Sequence, residues 1–179
     1  MKTFSSLMGC IVLVGISAAT GAAWAAGPAS PQPLPLERLI GTWRGRSETF
    51  ASPLTQPGHS TAVNVCRWTA SHRFVACDQT IEPGNRHDLA VYAIADKKNT
   101  YFYCEVDTTM RAYCADHFTI KGNTWIYESA FEYKGKPLMT RTWNRFDSAT
   151  HYTFEAEASH DGGHHWEVMS RGEATRIRG

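Results

Sequence analysis

The stretch from Thr124 to Phe146 decides the fold, and it reads TWIYESAFEY (124–133), KGKP (134–137) and LMTRTWNRF (138–146). Its side chains alternate with a period of two, which is typical of β-strands. A turn on Gly135-Lys136 pairs the two runs as a hairpin with two unlike faces. The face expected to point inward carries Trp125, Tyr127, Ser129, Phe131, Tyr133, Leu138, Thr140, Thr142, Asn144 and Phe146. The opposite face carries Glu128 and Glu132 against Arg141 and Arg145, a charge ladder suited to solvent.

The rest of the chain after residue 35 repeats this pattern. Short alternating runs are separated by turns rich in Gly, Pro, Asn and Asp, and one helical turn over 36–40 precedes them. Short connections favour sequential hairpins, and closing the sheet removes its exposed edges. The sequence therefore predicts an all-β, ten-stranded antiparallel up-and-down barrel. The runs lie near 41–50, 60–70, 73–82, 88–95, 100–106, 112–120, 124–133, 138–146, 150–159 and 166–177.

The first 25 residues have the pattern of a signal peptide. A lysine near the start precedes an apolar run over 7–19, and Ala23-Trp24-Ala25 offers the small residues of a cleavage site. The apolar run is short and broken by Gly and Ser, so we expect no stable membrane anchor. The predicted division is a signal peptide over 1–25, an extended lead-in over 26–35 and a barrel domain over 36–179. The expected location is the periplasm or outside the cell.

Charge and composition narrow the class of partner. The 18 basic residues include Lys2 in the leader, which leaves 17 basic and 17 acidic residues in the mature chain. A neutral domain of this kind is not expected to bind nucleic acid. A chain that is 42% hydrophobic and 20% charged folds rather than staying disordered. The sequence makes no prediction of oligomeric state.

Four cysteines remain after the leader, an even number that predicts two disulfides in an exported protein. A hairpin turning on Ser71-His72 places Cys66 opposite Cys77, and a second hairpin places Cys104 opposite Cys114. The predicted pairs are therefore Cys66–Cys77 and Cys104–Cys114, which leave no thiol for catalysis. No metal is expected, since the cysteines form no C-x-x-C pair.

The residues Gly41-Thr-Trp43 at the start of the first run resemble the opening of lipocalin-type barrels. In that family the Trp closes one end of the barrel and a late Arg packs across its ring. The resemblance implies this structural role for Trp43 and for Arg176, with Arg178 as the alternative. The order of motifs from Pro35 to Arg178 is similar to a family of exported bacterial lipocalin-like (calycin) barrels of unknown function.

The opening Gly41-Thr-Trp-Arg-Gly45-Arg-Ser47 is also similar to that of the nitrobindins, which hold haem through a His near the C-terminus. Here Ser47 stands where the third Gly of that motif would be. The last run, 168–176, contains no His. We therefore expect no cofactor, and haem binding is the alternative.

Ser159-x-Asp161-x-Gly163-x-x-Trp166 fits the Asp-box of sialidase propellers. A single copy without an internal repeat does not make a propeller. We expect Asp161 to accept turn N–H groups and Trp166 to pack beneath the hairpin.

Aromatic rings mixed with hydroxyls and an amide on the inner face favour a lined pocket. The predicted wall consists of Trp125, Tyr127, Phe131, Thr142, Asn144 and Phe154. A turn on Gly122-Asn123 places Asp116 inside, opposite Ser129, as a polar contact; a slip of one residue would point His117 inward instead.

The predicted function is therefore non-enzymatic binding of a small apolar or amphipathic molecule. The alternatives are a haem-binding barrel, an isomerase or hydrolase that uses Asp116 or His117, and a structural protein with a filled core.

Overall fold

A computed structural model of the chain describes residues 35–70, 72–94, 100–108 and 112–179. The predicted signal peptide and nearly all of the lead-in lie outside these residues. A 3-10 turn, Pro35–Leu39, precedes the strands, and no helix in the described ranges is long and apolar enough to span a membrane. The strands are β1 Gly41–Thr49, β2 Gly58–Trp68, β3 Phe74–Glu82, β4 Arg86–Ile94, β5 Tyr101–Asp107, β6 Ala112–Cys114, β7 His117–Lys121, β8 Thr124–Tyr133, β9 Lys136–Phe146, β10 His151–Ser159 and β11 Glu167–Arg178.

All strands belong to one antiparallel sheet with the order β6-β5-β4-β3-β2-β1-β11-β10-β9-β8-β7. The two edge strands, β6 and β7, follow one another in the chain, so the sheet curls and its edges approach each other. The prediction of an all-β lipocalin-like barrel preceded by a helical turn is confirmed.

The described residues form eleven strands where ten runs were predicted, because the sixth run is broken at Ala115-Asp116. The Ala115 amide donates to the Tyr103 carbonyl of β5 at 3.0 Å. The Asp116 carboxylate accepts from the Ala130 amide of β8 at 2.7 Å. The chain thus crosses from one sheet edge to the other at these two residues, which we call the seam.

The β8–β9 hairpin has the predicted faces but a different register. Trp125 pairs with Asn144, and Ser129 with Thr140. The turn lies on Lys134-Gly135, with φ values of 52° and 76°, and not on Gly135-Lys136. A two-residue hairpin turn of this kind needs positive φ at both central positions. The shift is two residues, so every side chain keeps its predicted face.

One end of the barrel is filled by aromatic and aliphatic side chains. Trp43 is 1% exposed and Trp125 is fully buried. The ring of Phe146 lies 6.2 Å from Trp43 and 4.9 Å from Trp125. Leu39 of the 3-10 turn packs beneath Trp43, whose indole N–H donates to the Leu39 carbonyl at 2.7 Å. The 3-10 turn therefore closes this end of the barrel.

Both predicted disulfides are confirmed, with S–S distances of 2.06 Å for Cys66–Cys77 and 2.03 Å for Cys104–Cys114. They lie on opposite faces of the sheet. Cys66 and Cys77 are buried in the barrel core, whereas Cys114 is exposed on the outer face. Each bond joins directly paired residues of neighbouring strands.

The hairpin between β10 and β11 has the predicted structural role. The Asp161 carboxylate accepts from the amides of His164 and His165 at 3.0 and 2.9 Å. The Trp166 indole donates to the Gly163 carbonyl at 2.9 Å, and the Arg141 guanidinium lies 4.0 Å from its ring. Asp161 therefore stabilises the turn, and Trp166 packs it against Arg141 on the outer face.

Candidate functional site

The end of the barrel nearest the 3-10 turn, which we call the closed end, is sealed by a cation–π contact. The guanidinium carbon of Arg176 lies 4.7 Å from the centre of the Trp43 ring, and Arg176 donates to the Arg38 carbonyl. Burial lowers the pKa of Arg176 from its ordinary value. Trp43 and Arg176 thus hold the closed end together.

The other half of the interior, which we call the open half, has one wall of small side chains. Register pairs Gly45 of β1 with Ala62 of β2 and Ala174 of β11, and pairs Ser47 with Ser60 and Gly172. The Phe154 ring lies over Gly172, because an added Cβ there would be 2.6 Å from Phe154 Cζ. This small-residue wall consists of Gly45, Ser47, Ser60, Ala62, Ala156, Ser170 and Gly172.

The wall facing it is aromatic. Tyr103 lies 5.0 Å from Tyr92 and 4.9 Å from Tyr127, measured between ring centres, and Phe118 stacks on Tyr127 at 4.6 Å. Burial raises the pKa of Tyr152 to about 12 and the pKa values of Tyr92, Tyr103 and Tyr127 well above their ordinary value. All four phenols are therefore neutral hydrogen-bonding groups near pH 7.

Beside the aromatic wall lies a cavity of about 50 Å³, which Leu39 and Trp43 of the closed end also line. A volume of this size holds one or two water molecules or a small polar head group. Its lining is mixed, with amides and a carboxyl among the aromatic rings. The lining residues are Leu39, Trp43, Asn64, Cys66, Cys77, Gln79, Ala90, Tyr92, Tyr103, Glu105, Asn144 and Tyr152.

Two carboxyl groups lie on the inner face beside this cavity. The Tyr103 hydroxyl donates to Glu105, which lines the cavity. Asp88 has a side chain only 1% exposed, and its Oδ2 accepts from Arg86 Nε at 3.0 Å and Nη2 at 2.8 Å. Burial, reinforced by the nearby Asp88, raises the pKa of Glu105, while the Tyr103 hydrogen bond and Arg86 oppose that rise.

The sequence analysis missed Glu105 and Asp88. The signal that points to Glu105 is its position two residues after Tyr103 and four after Tyr101, which puts all three side chains on one face of β5. Asp88 lies on the same face of β4 as Tyr92. Both acids therefore belong to the aromatic wall rather than to the solvent face.

The predicted wall residues are divided between the two halves of the barrel. Trp125 and Tyr127 are buried in the packed core. Asn144 lines the cavity and donates to the Tyr127 hydroxyl at 3.3 Å. Thr142 lies one inward position further from the closed end and pairs with Ala156, and Phe154 covers Gly172.

Phe131 keeps its predicted face but lies at the rim, whereas Asp116 and the alternative, His117, do not face the interior. Phe131 shares the face of Tyr127 but is 41% exposed, at the rim of the open half. Asp116 is exposed and bonds to the Ala130 amide instead of facing the interior, because the chain crosses the seam at this point. His117 is exposed and pairs with Glu128 on the outer face.

The loop between β1 and β2 reaches across the rim of the open half. The Tyr133 hydroxyl of β8 donates to the Pro53 carbonyl of this loop at 3.3 Å. The loop is tightened by Ser52 and Thr55, whose hydroxyls lie 2.7 Å apart. Access to the open half therefore depends on the space that this loop leaves.

The outer face of β1, β2, β10 and β11 is charged, and its groups pair with one another. Arg46 contacts Glu173 at 2.6 Å, and Arg171 contacts Glu48 at 3.2 Å. Such exposed pairs contribute little to stability and leave few charges to recognise a ligand. The described residues include no group of three or more His, Cys, Asp or Glu that would hold a metal ion.

Comparison with known proteins identifies the fold. No protein-family model and no curated protein sequence matches the chain. The solved structure of Rv2717c from M. tuberculosis is similar, with a TM-score of 0.56 and 12% identity over 80% of this chain and 95% of that one. The S-type phycobiliprotein lyase CPES from Guillardia theta is similar with a TM-score of 0.52 and 10% identity over 80% of this chain and 91% of that one.

Proposed function

We propose that this chain is a non-enzymatic barrel that binds a small apolar or amphipathic molecule in its open half. The observation that carries the proposal is the small-residue wall, where seven inward positions on four strands hold nothing larger than Ser. A barrel of eight strands is just filled by its side chains, and a wider one encloses space unless large side chains occupy it. This sheet has eleven strands.

The two walls fit an amphipathic ligand better than a purely apolar one. The wall of Tyr rings offers apolar area, and its hydroxyls, with those of Ser47 and Ser60, offer hydrogen bonds. Phe131 at the rim adds an exposed apolar contact. Ligand pockets of this kind are mainly apolar with a few placed polar groups. Thr142, Asn144, Phe154 and Phe131 are the predicted wall residues that this proposal retains.

We also propose that the chain is exported, with the division into 1–25, 26–35 and 36–179 given above. The two disulfides support an oxidising compartment such as the periplasm or the cell exterior. The order of motifs supports membership of the exported lipocalin-like family. The likeness to solved barrels supports the fold that the proposal needs and nothing beyond it.

The alternatives find less support in the geometry. None of the described histidines lies on the inner face of the barrel, so a haem held by His does not fit; those on strands are His59, His87, His117 and His151. An isomerase or hydrolase that uses Asp116 or His117 lacks an interior catalytic group, because both side chains are exposed.

Filling the small-residue wall tests the proposal. Ala156→Leu adds bulk on the inner face of β10, opposite Thr142 and Ser170, and Thr175→Leu adds bulk on the exposed outer face of the neighbouring β11. If the open half is hollow, Ala156→Leu folds with unchanged stability and binds the fluorescent probe 1-anilinonaphthalene-8-sulfonate at least about tenfold more weakly, a loss of about 1.4 kcal/mol. Thr175→Leu leaves probe binding unchanged.

A filled barrel gives the opposite result. Overpacking then costs Ala156→Leu about 1–3 kcal/mol in urea unfolding, and the wild-type protein does not bind the probe. That outcome would favour a structural protein over a binding protein. Native mass spectrometry of protein purified from its own host identifies a retained ligand.

A further inference from the structure

We infer that the ligand is an organic amine, bound as its ammonium form with the charged head in the 50 Å³ cavity against Glu105 and the apolar body in the open half. This inference rests on the proposed function and adds the class of ligand. It is carried by a buried acceptor that has no donor among the described residues, by an acid that forms no ion pair with them and by the rings around both.

Oxygen acceptors without partners lie in this part of the interior. Asp88 Oδ1 and Asn64 Oδ1 are buried and have no hydrogen-bond partner, and the Asp88 side chain is 1% exposed. Asn64 lines the cavity together with Glu105. Buried acceptors of this kind are costly unless a donor reaches them. A ligand in the cavity that brings N–H donors can satisfy Asn64, and an ammonium group carries three.

The charge balance favours a cation. Arg86 forms an ion pair with Asp88, whereas the hydrogen bond on Glu105 comes from the neutral Tyr103 hydroxyl. The other titratable groups that face Glu105 are Asp88, which also hydrogen-bonds it, Tyr92 on β4 and Tyr113, its register partner on β6. The positive charge of Arg86 acts on Glu105, but the ion pair of Arg86 is with Asp88, and Glu105 has no ion pair of its own with the described residues. A buried carboxylate of this kind is stabilised by an incoming positive charge.

The rings and the volume define the shape of the amine. Trp43, Tyr92, Tyr103 and Tyr152 line the cavity, and aromatic faces attract ammonium groups. About 50 Å³ accommodates an ammonium head with a methylene or two but no ring. The ligand is therefore a thin alkylammonium chain attached to a bulkier apolar group.

Proton binding and amine binding compete at Glu105. Burial raises the pKa of Glu105, so part of the protein carries a neutral acid at mildly acidic pH. An ammonium ion binds the ionised carboxylate more tightly than the neutral acid. The affinity for the amine is therefore expected to rise with pH through the range just above the ordinary pKa of a glutamic acid. The affinity for a neutral analogue is expected to stay constant over the same range.

The test compares two dansyl probes of equal length by fluorescence titration. Dansylcadaverine carries a pentylammonium chain, and N-pentyl dansylamide lacks the amine. The wild-type protein is expected to bind dansylcadaverine at least about tenfold more tightly, which corresponds to about 1.4 kcal/mol. Glu105→Gln is expected to abolish this preference and keep the affinity for N-pentyl dansylamide. Glu132→Gln, which removes a carboxylate from the exposed end of β8, is the matched control and keeps the preference.

Each outcome separates this inference from the proposed function. Equal binding of the two probes by the wild-type protein, or a preference that survives in Glu105→Gln, overturns the amine inference and leaves small-molecule binding intact. Binding of neither probe overturns both. Should Glu105→Gln fail to fold, the pH titration of the wild-type protein decides, since parallel pH profiles for the two probes contradict the role of Glu105.

Discussion

The two ends of the barrel are made from the same alternating strands but differ in what their inward positions hold. At the closed end, Trp43, Trp125 and Phe146 pack on the 3-10 turn, and Arg176 covers the Trp43 ring. In the open half, the same strands β1, β10 and β11 carry mainly Gly, Ala and Ser at their inward positions, with Phe154 among them. One end therefore holds large buried side chains, and the other holds mostly small ones.

If the open half binds a ligand as proposed, stability and function are separated along the barrel axis. Burial of large side chains stabilises the fold, and small side chains contribute less to it. A substitution of one type is thus expected to have opposite consequences at the two ends. The following predictions test that contrast, beginning with the largest effect.

Removing the ring that closes the barrel should have the largest effect. Trp43→Ala deletes a side chain that is 1% exposed, together with its hydrogen bond to the Leu39 carbonyl. We expect a loss of about 3–5 kcal/mol in the free energy of unfolding, measured by urea titration. Phe131→Ala, at the exposed rim, is the control and should cost less than about 1 kcal/mol. Equal losses for the two variants would contradict the division into a closed end and an open half.

The two disulfides close loops of similar length but should differ in how easily a reductant reaches them. Replacing Cys66 and Cys77 by Ala removes a covalent link that closes a loop of 11 residues, at a cost of about 3 kcal/mol. Under mild reduction of the folded protein, Cys104–Cys114 should open first, because Cys114 is exposed and the other pair is buried. Alkylation followed by peptide mapping measures the order. Earlier labelling of Cys66 and Cys77 would show that the closed end is open to reagent.

A substitution at Gly172 in the small-residue wall is expected to destabilise the fold. In Gly172→Ala the new Cβ would lie 2.2 Å from the Arg46 carbonyl oxygen and 2.6 Å from Phe154 Cζ. The backbone cannot move aside as a side chain can, so we expect a loss of about 1–3 kcal/mol. Gly58→Ala at the start of β2 is the matched control, since a Cβ there meets nothing within 4 Å. Comparable thermal melts for the two variants would contradict the close approach at Gly172.

The smallest effect should come from Glu105 and should depend on pH. Its raised pKa means that the folded state binds this proton more tightly than the unfolded state does. Stability from this group is therefore present at low pH and is lost as pH rises through the interval between the unfolded and folded values. Relative to Glu105→Gln, the wild-type protein should lose stability from pH 4 to pH 7. Parallel pH profiles of urea unfolding for the two proteins would show that Glu105 titrates normally.

The fold was largely predictable because the alternation of apolar and polar side chains and the turn residues can be recognised within short stretches of sequence. Residues 124–146 predicted both faces of their hairpin, and the spacing of Cys66 and Cys77 predicted their pairing. The break at Ala115-Asp116 was not predictable, since it depends on Tyr103 and Ala130, which are distant in sequence. The turn on Lys134-Gly135 was missed because both central residues adopt positive φ, and Lys rarely does.

The candidate site was predicted less well than the fold. The alternation of side chains along a strand assigns a residue to a face but does not give its position along the barrel axis. Buried Trp125 and exposed Phe131 were therefore placed on one wall together. Glu105 and Asp88 were missed because charged residues were assigned to solvent. Their burial depends on partners supplied by the fold, namely Tyr103 and Arg86.

The seam at Ala115-Asp116 is where we expect the barrel to open locally. Along it, the Ser129 hydroxyl donates to the Cys114 carbonyl and the Asp116 carboxylate accepts from the Ala130 amide. These side-chain bonds join the end of β6 and Asp116 to β8, whereas β7 and β8 share a ladder of backbone pairs. Local opening follows the line with the fewest cooperative bonds. In native-state hydrogen exchange, the amides of Ala115, Asp116 and Ala130 should lose protection before those of β1 and β11. We therefore expect a ligand wider than the rim to enter through a transient local opening of the seam.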